Sequence, residues 1–318
     1  MGAKRIGLID VDGHNFPSIP LMKISAWHKQ QGDSVEWYEP LKHGFEKPLD
    51  KVYMSKVFSF TTDYEYYINA NEVVKGGSGY CIELVDGKEV YHKENDTQLI
   101  KEIEHIYPDY SLYPELTKDI AYGFMSRGCP RGCDFCHVKA KEGCKAYKVA
   151  DLSEFWNGQK NIKLLDPNPV ACAEWRNIFK QLKESGAWVD FTQGIDIRIM
   201  TKEKITELMK IKINQVHFAW DNYEDKKIIV PKLKEFAKMT GWSNRKMSVY
   251  VLTNYNTTLE QDLERIYTLR DLGYTPFVMI YNKQSVERGN VQRQLQRWVN
   301  SKVAFAVCRN FEDFMKVH

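Results

Sequence analysis

Cys129, Cys133 and Cys136 stand in a C-x3-C-x2-C spacing inside the run Met125-Ser126-Arg127-Gly128-Cys129-Pro130-Arg131-Gly132-Cys133-Asp134-Phe135-Cys136. Thiolates are strong, soft ligands for iron and zinc. Gly128, Pro130 and Gly132 are residue types that let a loop turn tightly enough to bring three of them together. The number three decides the chemistry. Four cysteines close an ordinary iron–sulfur site, whereas three leave one iron with an open position for a substrate or second cofactor. The alternative is a structural zinc site on the same three residues, with Cys144 or His137 as fourth ligand, although such sites commonly pair two C-x2-C arms.

This spacing, with the aromatic Phe135 directly before the last cysteine, resembles the signature of the radical S-adenosylmethionine (radical SAM) superfamily. The resemblance implies that Cys129, Cys133 and Cys136 hold a [4Fe–4S] cluster whose fourth iron is chelated by the methionine part of S-adenosylmethionine. It further implies reductive cleavage of that cofactor to methionine and a 5′-deoxyadenosyl radical, which abstracts hydrogen from a substrate the motif does not name.

Composition agrees with such an enzyme in a reducing, cytoplasmic setting. Seven cysteines is an odd count, so a disulfide framework is not expected, and no charged-then-apolar secretory segment opens the sequence. No apolar run is long enough to cross a bilayer. The 318 residues, 43% of them hydrophobic, suffice for a large core and two domains. A net charge of +3 is nearly balanced and does not by itself point to nucleic acid.

The elements that must position the cysteines divide near the motif. The fold class expected is α/β: a partial (βα)6 radical SAM barrel preceded by a small Rossmann-like α/β domain. Residues 1–90 form the small domain, 91–118 a connector, and 119–318 the barrel with the cluster loop. In the small domain, strands are expected at residues 5–10, 35–38, 51–58 and 73–74, and a helix at 18–31. Two loops lie at strand ends, Asp10-Val11-Asp12-Gly13-His14-Asn15 and Gly76-Gly77-Ser78-Gly79. This order resembles the cobalamin-binding-like domain that precedes many radical SAM barrels. Asp12 and His14 match the start of the D-x-H-x-x-G cobalt-ligand motif, while Pro17 stands where its glycine would be. The expectation is a domain that kept the fold and covers the barrel mouth; the alternative is a cobalamin-dependent radical methylase.

The connector is expected to hold one helix at 96–106. Six βα units then follow, with strands at 120–125, 161–165, 188–191, 215–220, 248–252 and 276–281. Intervening helices are expected at 171–184, 202–209, 225–239 and 258–272, and a last one at 291–299. The run Thr257-Thr258-Leu259-Glu260 reads as a capping box from Thr257 to Glu260.

In a parallel βα barrel the chemistry sits at the carboxyl ends of the strands. The residues there are Asp166-Pro167-Asn168, then Gln193-Gly194-Ile195-Asp196-Ile197-Arg198, then Asp221-Asn222, Thr253-Asn254-Tyr255-Asn256 and Asn282-Lys283. By resemblance, Asp166 and Asn168 stand where the family holds the methionine amino group, replacing its usual Gly-Gly-Glu. Arg198 suits the methionine carboxylate. Gln193, Asp196 and Asp221 are candidates for the ribose hydroxyls, Asn254 completes the cofactor set, and the backbone around Phe135 is expected near the adenine. The other reading of the acidic and amide residues is turn closure. Arg127, Arg131, Lys139, Lys141, Lys145 and Lys148 form a basic rim, read in order as a solvated face, a dock for a reductant such as flavodoxin or ferredoxin, or a nucleic-acid contact. The competing function is a non-catalytic zinc or iron–sulfur module that senses redox state.

Overall fold

The computed structural model describes residues 2–86 and 88–317. The chain forms two compact units, Met1–Lys145 with Val149–Ile162, and Ala146–Lys148 with Lys163–His318.

In the first unit, β1 (Arg5–Asp10), β2 (Ser34–Trp37), β3 (Lys51–Ser55) and β4 (Val73–Gly76) pair in the order β2-β1-β3-β4. All three pairings are parallel, with Ile6 opposite Val35 and Lys51, and Val52 opposite Val73. The short apolar run of β1 follows from burial on both faces. Ile6 and Leu8 pack with Leu21 and Ile24 of the helix Ile19–Gln30, while Ile9 packs with Tyr38, Leu49, Val52 and Met54. Order reverses between β1 and β3, the place where an open parallel sheet leaves a crevice at its carboxyl edge.

An antiparallel hairpin follows, β5 (Ile82–Val85) with β6 (Lys88–Tyr91), Ile82 facing Tyr91. Sequence patterning passed over it, although Asp86-Gly87 between two four-residue runs is a hairpin signal, and Asp86 has φ +49°. The connector helix is shorter than expected, Lys101–Glu104 rather than 96–106. Ile103 is its one buried residue, so little packing sustains a longer helix.

β7 (Ile120–Gly123) and the two-residue β8 (Ser126–Arg127) complete the first unit's strands, β7 lying next to the start of β10 (Asn161–Leu164); β9 (Tyr147–Lys148) is a second two-residue strand. In the second unit β11 (Trp188–Phe191), β12 (Ile213–Ala219), β13 (Met247–Thr253) and β14 (Thr275–Ile280) run on from β10 in sequential order, and β11 to β14 are parallel. Helices Trp175–Ser185, Lys202–Leu208, Lys226–Thr240 and Leu259–Asp271 alternate with these strands, as the pattern predicts. One sheet face packs on the helices, with Phe191 against Phe179 and Phe218 against Phe236.

The capping box lies one residue later than read. Thr258 accepts from the Gln261 N–H at 3.3 Å, and Gln261 Oε1 accepts from the Thr258 N–H at 3.0 Å. A threonine doublet leaves that register open until the buried face of the helix selects it. Beyond Val291–Asn300, helices Lys302–Val307 and Phe311–Val317 extend the core, where Phe311 and Phe314 pack near Trp298. Among the described residues no helix is long and apolar enough to cross a membrane.

Candidate functional site

The cysteine loop grows out of β7 and is clamped at its base. Gly123 is required by packing, since a Cβ there would enter the Phe155 ring. Gly128 has φ +78°, and a Cβ would meet the carbonyl oxygen of Lys145. Its N–H donates to Glu142 Oε2 at 2.9 Å, and Arg127 Nη1 donates to Glu142 Oε1 at 2.9 Å. The Cys129 N–H donates to the Gly143 carbonyl at 3.3 Å, and the Arg127 guanidinium stacks 3.5 Å from the Phe124 ring centre. Left-handed backbone falls at Gly128 and Gly143, not at Gly132, whose open side instead admits the Lys139 ammonium.

Cys129, Cys133, Phe135 and Cys136 are all half-buried on this loop. Burial pushes the Cys136 thiol up to about 11, and the negative charges of Cys133, Glu89 and Cys129 push the same way, against a hydrogen bond from the Val138 backbone. The three thiols therefore share one electrostatic neighbourhood. Among the described residues no three or more His, Cys, Asp or Glu side chains are arranged around a point that would hold a metal ion. Of the two fourth ligands considered for zinc, His137 Nδ1 is 2.7 Å from Glu89 Oε2, and Cys144 is exposed. The basic rim is partly used internally: Arg127 pairs with Glu142, and Lys141 reaches Ser78 Oγ at 3.0 Å, Cys81 Sγ at 3.5 Å and Asp96 at 3.7 Å.

The carboxylates of the other strand-end loops of the first unit are engaged within the unit. Asp12 accepts from the Val57 N–H at 2.5 Å and from Thr61 Oγ1 at 2.6 Å, so its carboxylate spans the crevice between β1 and β3. Asp10 accepts from Tyr113 Oη at 2.8 Å, and His14, at φ +60°, lies 4.2 Å from Trp37 between ring centres. The glycines of Gly76–Gly79 answer to close packing: a Cβ on Gly77 would strike the Lys56 carbonyl, and one on Gly79 would lie 2.8 Å from Phe58 O.

In the second unit, Asp166 and Asn168 are buried after β10, and Gln193 is exposed after β11. Asp196 accepts from the Arg198 N–H at 3.1 Å and from Arg198 Nε at 2.7 Å, while Arg198 Nη1 donates to Asp225 at 2.7 Å. The structure thus brings Asp196, Arg198 and Asp225 together. Asp221, after β12, is pushed up to about 6 by burial, against the positive charges of Arg265 and Arg198. Asn254 has φ +60° and donates to the Tyr281 carbonyl at 2.9 Å, closing the ends of β13 and β14.

No family model matches the sequence, and no curated protein matches it. Two solved structures are similar over 69% of this chain. Both are of Streptococcus suis SuiB, one bound to the precursor peptide SuiA (11% identity, TM-score 0.41) and one bound to S-adenosylmethionine (14% identity, TM-score 0.39). The match spans about half of those chains, 54% and 53%.

Two second-unit features escaped the sequence reading. Arg265 is fully buried and donates to Trp220 O at 2.6 Å, Asp221 O at 2.9 Å, Leu252 O at 2.8 Å and Asp262 Oδ1 at 2.5 Å, tying the ends of β12 and β13. A signal existed: Asp262, Arg265, Ile266 and Leu269 fall on one helical stripe. Across the sheet, His217 stacks on Tyr250 at 4.9 Å with its Nε2 3.4 Å from Asp190, and Tyr250 Oη donates to the Thr192 carbonyl at 2.8 Å. One polar position on each of three successive strands was the legible trace.

Proposed function

We propose that this chain is a radical SAM enzyme, with Cys129, Cys133 and Cys136 as thiolate ligands of a [4Fe–4S] cluster. The observation that carries this reading is the loop itself. Three cysteines in C-x3-C-x2-C spacing, with Phe135 before the last, leave β7 on a glycine-dependent turn and are all half-buried on one loop. With the cluster and S-adenosylmethionine bound, the chemistry supplied is one-electron cleavage of the sulfonium to methionine and a 5′-deoxyadenosyl radical that takes a hydrogen atom from substrate.

The chain's own residues bind and orient. The Arg127–Glu142 pair holds the base of the loop, and the Lys139 cation beside Gly132 offsets part of the negative charge of three thiolates. Asp166 and Asn168 are proposed for the methionine amino group, and Arg198, steadied by Asp196 and Asp225, for the carboxylate. Gln193, Asp196 and Asp221 are proposed for the ribose, Asn254 as a further contact, and Phe135 beside the adenine. The corresponding domain reading is a small α/β domain over residues 1–90, a connector over 91–118 and a partial barrel over 119–318. A flavodoxin or ferredoxin in a reducing cytoplasm would supply the electron.

The test is anaerobic purification, reconstitution with iron and sulfide, and assay for 5′-deoxyadenosine in the presence of S-adenosylmethionine and dithionite. Product from the wild type and none from the Cys129→Ala/Cys133→Ala/Cys136→Ala variant supports the reading. Zinc bound without iron and sulfide overturns it in favour of a metal-binding module, and a bound corrin spectrum redirects it to a cobalamin-dependent methylase.

A further inference from the structure

Helix Val291–Asn300 carries two stripes. Leu295, Trp298 and Val299 are buried, whereas Arg293, Gln296, Arg297 and Asn300, three and four residues apart, line a cleft of about 530 Å³ with Phe277, Lys283 and Ser301. The two amides fasten this stripe to the outer edge of β14, which ends the sheet. Asn300 Oδ1 accepts from the Val278 N–H at 2.8 Å, and Asn300 Nδ2 and Gln296 Nε2 each donate to the Val278 carbonyl at 3.0 Å.

Arg293 is placed but not neutralised, and Lys283 and Arg297 are exposed. Arg293 donates Nε to Val286 O at 2.7 Å and Nη2 to Lys283 O at 2.8 Å, neutral acceptors that fix the guanidinium and leave its charge. Among the described residues no carboxylate stands within ion-pair distance of Lys283, Arg293 or Arg297, and none lines the cleft. Elsewhere in this unit Lys180, Lys210 and Lys232 each have an acidic partner three or four residues away. The helix Val291–Asn300 contains no Asp or Glu at all.

Three unneutralised cations around one concavity repel one another, and a bound anion relieves that repulsion. Guanidinium forks match phosphate oxygens, and Phe277, 43% exposed, leaves ring surface on which a base can stack. We propose that this cleft binds a nucleotide unit, its phosphate held by Lys283, Arg293 and Arg297 and its base against Phe277. The proposal is independent of the iron–sulfur reading, because binding requires no cluster.

The test uses the full chain without iron loading and a fluorescein-labelled oligouridylate of about eight nucleotides, followed by anisotropy across salt concentrations. Neutralisation of one bound phosphate predicts a log–log salt slope of about −0.7, which Arg297→Gln moves towards zero. That variant also weakens binding by about tenfold at low salt, while Phe277→Leu weakens binding and leaves the slope alone. Competition by AMP identifies a single nucleotide as sufficient, whereas tight oligonucleotide binding that AMP does not displace identifies a strand; both support the proposal. Absence of binding, a slope unchanged in Arg297→Gln, or displacement by polyglutamate as effective as unlabelled oligonucleotide overturns it. Circular dichroism verifies that the variants fold.

Discussion

Two sets of strand-end loops in the first unit both depend on glycine and present different side chains. At Asp10–His14 Gly13 supplies a left-handed turn, at Gly76–Gly79 Gly77 and Gly79 permit close backbone packing, and the carboxylates of Asp10 and Asp12 are spent on Tyr113, Val57 and Thr61. At Gly128–Cys136 the glycine again permits close packing, but the side chains on the loop are three half-buried thiols, of which Cys136 is pushed up to about 11 by burial. A loop whose polar groups satisfy each other contributes stability. The loop with three half-buried thiols is the one we propose to take a cation.

The strongest way to break this contrast is Cys136→Ala. Iron content and 5′-deoxyadenosine should fall to background, while metal-free stability, followed by urea unfolding, changes by less than about 1 kcal/mol. A variant that unfolds instead would make the cysteines structural. Next in size is Asp262→Ala in the second unit, which leaves Arg265 buried without its carboxylate. A loss of about 3–5 kcal/mol in unfolding free energy is expected; a loss below 1 kcal/mol would mean that the carbonyls of Trp220, Asp221 and Leu252 hold the arginine unaided.

Asp221 gives a pH signature of intermediate size. Its folded value of about 6 lies above the ordinary 3.8, so the folded protein keeps a proton that the unfolded chain has released. This group's stabilisation is full below pH 4 and is lost as pH rises towards 6 and beyond, by up to about 3 kcal/mol. Asp221→Asn should flatten that part of the stability profile measured by thermal melting; an unchanged profile would place the titration elsewhere. The smallest effect expected is from Asp12→Ala, about 1–3 kcal/mol from lost hydrogen bonds to a carboxylate. Iron loading of this variant should equal that of the wild type, the converse of Cys136→Ala. Loss of iron with Asp12 would dissolve the distinction between the two loops.

Sequence alone determined the local quantities. Strand and helix alternation from residue 161 onward was legible because each parallel strand is a short apolar run and each helix has one buried stripe, patterns written in consecutive residues. The cysteine spacing was legible because three cysteines on one loop need no tertiary contact to be counted. Tertiary structure decided where charge and hydrogen bonds go. Nothing in the order of residues says that Asp12 reaches Val57, 45 positions away, or that Arg265 meets carbonyls on two strands. The capping register at Thr258, the two final helices and the unneutralised cleft beside β14 likewise depend on which face is buried. Periodicity reports the face a segment can bury; only packing selects the partner that covers it, and so which polar groups remain for chemistry.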